Sequence, residues 1–140
     1  MLPGNELRSA SARIALDSGY ASVALESMPP KAEDQSDNLF IFSDQTQLRG
    51  EILCATGHRR EGLAQMSKAI EKRASADYYP YAPDLARARA VAGLCALAEG
   101  QRRRAVEFAS LAHESFTVQP NVSPYFKRPS EELDRLLARR

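Results

Sequence analysis

Along most of the chain the apolar positions return every three or four residues, the spacing of one face of an α-helix. Between Leu85 and Leu97 the series runs Leu85, Ala88, Val91, Ala92 and Cys95. After Gly100 it resumes with Ala105, Ala109 and Ala112 on one face, and Val106 and Phe108 beside them. The period of two that marks a half-buried strand is missing over any useful length, and the apolar run Leu39-Phe40-Ile41-Phe42 is too short to classify. Breaks fall at Gly19, Pro29-Pro30, Gly57, Pro80, Gly100 and Pro120, followed by an irregular piece through Pro124 and Pro129. This punctuation predicts helices near 5–18, 20–28, 40–56, 58–74, 83–99, 101–117 and 130–138, hence an all-α chain. The polar segment PPKAEDQSDN reads as a mobile loop, and YYPYAP as a connection whose tyrosines cover helix ends.

The punctuation also repeats. Gly19, Gly57 and Gly100 stand 38 and 43 residues apart. Seven residues before each glycine is a small residue (Ala12, Gly50, Gly93), and five after it is another (Ala24, Gly62, Ala105). Five before, the residue is apolar (Ile14, Ile52, Cys95), and six after it is again apolar (Leu25, Leu63, Val106). A paired-helix unit needs small residues where its helices cross and a glycine where the chain turns between them. Four columns in agreement predict three antiparallel hairpins, in approximate units 5–30, 43–76 and 83–119 of one domain spanning 1–140. The last helix, expected at 130–138, begins at Ser130 as N-cap with Glu131 and Glu132 behind it. Leu133, Leu136 and Leu137 then form a face suited to capping the preceding hairpin.

Read as G-x6-G-x4-A-x6-A, the series Gly93, Gly100, Ala105, Ala112 resembles the tetratricopeptide repeat. The middle unit is similar through Gly50, Gly57, Gly62 and Ala69, with Met66 at the large apolar place. The first unit follows the pattern at Ala12, Gly19 and Ala24 and departs from it at Lys31. Arg8, Thr46 and Arg89 stand where the family has large aromatics. The long intervals are similar to those of kinesin light chains and bacterial signalling proteins. The resemblance implies a short α-solenoid whose first helices line a concave, partner-binding face. On that register the face presents Arg13 and Leu16, then Gln47, Glu51 and Cys54, then Arg87, Ala90, Leu94 and Leu97. Mixed charge over an apolar floor suits a peptide or helix of a partner protein. Packing against a further domain is the competing account of the same residues.

Composition narrows the field rather than naming a function. A net charge of +1, with 26% charged residues, supplies no bulk field for nucleic acid or an anionic membrane. The clusters His58-Arg59-Arg60, Arg102-Arg103-Arg104 and Arg139-Arg140 keep a nucleic-acid alternative open, but Glu61, Glu99, Glu107 and Glu114 interleave with them. No apolar run reaches the roughly 20 residues of a membrane span, and MLPGNELRS lacks the form of a signal peptide. Cys54 and Cys95 lie in apolar helical patterns and read as buried thiols of a cytoplasmic protein. On that expectation the Asn121-Val122-Ser123 sequon is a chance match.

The histidines, His58 and His113, fall in separate units. Cys54 and His58 have the i,i+4 spacing of a ligand pair, but Gly57 ends their helix and no second pair completes a site. With no phosphate loop, nucleophile elbow or H-E-x-x-H motif, the expectation is a non-catalytic interaction scaffold without cofactor or metal. Homo-oligomerisation, as a purely structural role, remains an open alternative.

Overall fold

The computed structural model describes residues 4–31 and 39–139; most of the expected mobile loop, residues 32–38, lies outside them. The described residues form seven α-helices and no strand. These are α1 (Gly4–Asp17), α2 (Ala21–Glu26), α3 (Leu39–Ala55), α4 (Arg59–Ala74), α5 (Pro83–Ala98), α6 (Arg102–Val118) and α7 (Pro124–Ala138). The chain divides into two compact units, Met1–Lys72 and Arg73–Arg140, the boundary falling in the last turns of α4.

The three glycine turns share one geometry. Gly19, Gly57 and Gly100 have φ of 88°, 93° and 82°, a left-handed conformation that glycine adopts without a Cβ penalty. At each, the glycine N–H donates to the carbonyl three residues back, as Gly57 does to Cys54. The following N–H donates four residues behind the glycine: Tyr20 to Ala15, His58 to Leu53, Gln101 to Ala96. This paired arrangement is the Schellman motif, which satisfies carbonyls left over at a helix end. The next helix starts identically each time, through Ala24 to Tyr20, Gly62 to His58 and Ala105 to Gln101.

The small residues flanking the turns sit where the helices meet. In the first unit a Cβ added at Gly62 would lie 2.6 Å from the Gly50 carbonyl oxygen and 2.7 Å from the Cys54 nitrogen. So α3 and α4 cross almost backbone to backbone. Ala12 and Ala24, at the same places on α1 and α2, are completely buried. With Leu48 and Ile52 of α3 they form a core against which Ala15, Leu16 and Met28 pack. Arg8 and Arg49 donate to the carbonyls of Met28 and Pro29, at 3.1 and 2.6 Å, holding the chain just beyond the short α2. In the second unit α5 packs against both α6 and α7. Leu133 of α7 fills the notch left by Gly93, where an added Cβ would strike it.

Two expectations need correction. The last helix starts at Pro124, not Ser130: Ser123 is the N-cap, its hydroxyl accepting from the Tyr125 N–H at 3.4 Å. Pro124 takes the first helical position, where its missing N–H costs nothing, and Pro129 lies inside the helix. Ser130 is buried within that helix rather than capping it. The cysteines also differ from expectation. Neither is a free thiol: Cys54 and Cys95 are both disulfide-bonded, so the support that buried thiols lent to a reducing, cytoplasmic setting falls away. Among the described residues no helix is long and apolar enough to cross a membrane.

Candidate functional site

Within the first unit, α1 and α3 share a core over part of their length and leave a gap beside it. Leu16 of α1 lies against the core that Leu48 and Ile52 build on α3. Nearer the start of each helix, the α1 residues that face the gap among those described are the small Ser9 and Ala10. The gap is a groove of about 470 Å³. On the α3 side it is lined by Phe40, Ile41, Asp44, Gln45 and Leu48, residues that follow one stripe of the helix. Leu48 is the buried floor, while Phe40 and Ile41 stand 61% and 42% exposed at the rim.

A charge network closes one end. The Arg13 guanidinium donates to both carboxylate oxygens of Glu51, at 2.8 and 3.0 Å, and lies 3.4 Å from Asp17. Glu51, buried to 5% exposure, also accepts from the Gln47 amide at 3.1 Å. Two charge-assisted bonds in a planar fork compensate much of the cost of taking that carboxylate out of water. Ser9 contributes a different feature: its hydroxyl oxygen is buried and has no hydrogen-bond partner among the described residues. Such groups are rare in folded proteins.

Of the nine residues assigned to a binding face from the sequence, Arg13 alone lines this groove. Leu16 is in the core; Gln47 and Glu51 are buried in the ionic network. Cys54 is half-buried and disulfide-bonded, so it offers no thiolate to pair with His58 as a metal ligand. In the second unit Ala90 is completely buried, and Leu94 and Leu97 are half-buried. Arg87 is also half-buried, its guanidinium over the Tyr125 ring at 4.6 Å. Ser9, Ala10, Phe40, Ile41, Asp44, Gln45 and Leu48 escaped the sequence reading. The run Leu39 to Phe42 was the available signal, since consecutive large apolar residues cannot all turn inward on one helix.

The arginine corner before α6 has a structural explanation. Arg102 donates to the Leu137 carbonyl at 2.7 Å, in the last turn of α7. Positive charge is unfavourable at the start of its own helix, but here it sits against the negative end of a neighbouring one. Arg103 is almost fully exposed and lies 4.0 Å from Glu107, a pair of little energetic weight. Arg104 lies over the Phe108 ring at 5.7 Å. Among the described residues no group of three metal-ligating side chains comes together.

At the base of the second unit, Arg73 is buried and 3.2 Å from Asp84, which accepts a 2.5 Å hydrogen bond from the Tyr78 hydroxyl. Burial first, then the bond to Asp84, pushes the Tyr78 pKa up to about 12. Arg89 is pushed down by burial, against the attraction of Glu114. These groups anchor the 75–82 connection to α5. A comparison of the chain with protein-family models, curated proteins and solved structures returns no match.

Proposed function

We propose that the chain is a non-catalytic protein-interaction module of tetratricopeptide-like helical hairpins, receiving a segment of a partner protein between α1 and α3. The observation that carries the reading is the groove itself, an open, mainly apolar channel between the first helices of successive hairpins. The threefold Schellman turn and the close Gly50–Gly62 crossing support the paired-helix repeat. A site of this kind gains affinity from apolar anchors and takes register from charges at its rim.

Ala10 is exposed at the groove, so a larger side chain there obstructs the channel without entering the core. Quantitative affinity capture from the source cell compares the wild type with Ala10→Trp. At least one protein held by the wild type should be lost from the variant. Equal recovery of every captured protein would remove the groove from the account.

A further inference from the structure

The groove's charge balance identifies the chemistry of its occupant. Arg13 is the one cation among the described lining residues, and it is committed to Glu51 and Asp17. Asp44, exposed on the opposite wall, makes no ion pair among the described residues. With Arg13 paired in that way, Asp44 carries the remaining lining charge, and the open part of the channel is negative. Its volume falls in the roughly 300–1,000 Å³ range of ligand pockets, yet the apolar surface does not stop at the wall. Phe40 and Ile41 carry it out over the rim, where a ligand confined to the channel leaves them wet. A helix laid along α3 covers both, setting apolar side chains at i, i+3, i+4 and i+7 against Leu48, Ile41 and Phe40. Its polar flank then meets Asp44.

We infer that the groove selects a basic amphipathic helix, with lysine or arginine flanking the apolar stripe. This rests on the reading of the groove as a partner site and adds the partner's chemistry to it.

The chain has no tryptophan, so emission from a single-tryptophan peptide reports binding to it directly. Two synthetic amphipathic helices are compared, identical in their apolar stripe and carrying either lysine or glutamate on the flanks. At low salt the lysine peptide should bind at least about tenfold more tightly, with a blue-shifted emission. Asp44→Lys should remove most of that preference. Phe40→Ala, at an exposed position, should weaken both peptides while leaving the circular dichroism spectrum unchanged. Equal or tighter binding of the glutamate peptide overturns the inference about charge and leaves the groove a partner site. If neither peptide binds, both proposals fall. A dimer in sedimentation that Phe40→Ala dissociates also overturns the inference, because the occupant is then a second copy of the chain.

Discussion

Replacing Gly62 with alanine should destabilise the protein, although a glycine within a helix is ordinarily a weak point. Helix propensity favours the change by at most about 1 kcal/mol, less in the first turn where Gly62 lies. The crossing opposes it. An alanine Cβ would sit 2.6 Å from the Gly50 carbonyl oxygen and 2.7 Å from the Cys54 nitrogen, where ordinary contact begins at 3.4 Å. Both obstacles are backbone, so no rotamer change relieves them and α3 must retreat from α4 by several tenths of an ångström. Overpacking of this kind costs typically 1–3 kcal/mol, leaving a net loss of about 1–2 kcal/mol. The melting temperature should fall by roughly 3–8 °C. Gly93→Ala is the internal comparison: its main obstacle is the Leu133 side chain, which can rotate, so the loss should be smaller. Urea unfolding followed by circular dichroism, under non-reducing conditions, gives both values. A Gly62→Ala protein as stable as the wild type would refute the backbone-to-backbone crossing.

Other perturbations separate the remaining interactions. Arg13→Met leaves the Glu51 carboxylate buried without its fork and should cost about 2–4 kcal/mol in urea unfolding. The double variant Arg13→Met, Glu51→Met should cost less than the two single changes added together. Asp84→Ala removes one carboxylate partner of the buried Arg73 and an acid from the first turn of α5; a loss of about 1–3 kcal/mol is expected by the same assay. Because Tyr78 ionises near 12 when folded and near 10 when unfolded, the unfolded state sheds its proton first as pH rises between those values. Stability should therefore fall across that window, and urea midpoints at several alkaline pH values should show a shallower fall in Tyr78→Phe. Arg102→Met should speed amide exchange in the last turn of α7 several-fold while leaving α5 protected.

The helices and the glycine turns between them were legible because their causes are local. A left-handed turn asks for glycine at Gly19, Gly57 and Gly100, and a close crossing asks for the small residues at fixed offsets from each turn. Both demands leave one-residue marks that recur along the chain. The start of α7 was misplaced because Pro129 reads as a helix breaker, while the Ser123-Pro124 pair carried the correct signal. The cysteines were misread because pairing depends on tertiary approach, which apolar periodicity does not encode. The groove was least visible of all. It depends on the small Ser9 and Ala10 facing the gap, and on Phe40 and Ile41 facing outward. Likewise Gln47 and Glu51, polar and regularly spaced, looked like an exposed face until Arg13 was found across from them.

The most direct test of the partner site is a titration of isotopically labelled protein with the basic peptide, followed by amide chemical shifts. The largest changes should fall at Ser9, Ala10, Phe40, Ile41, Asp44 and Gln45, with α6 and α7 little affected. Changes centred on the arginine corner at Arg102–Arg104, or spread evenly over both units, would contradict it.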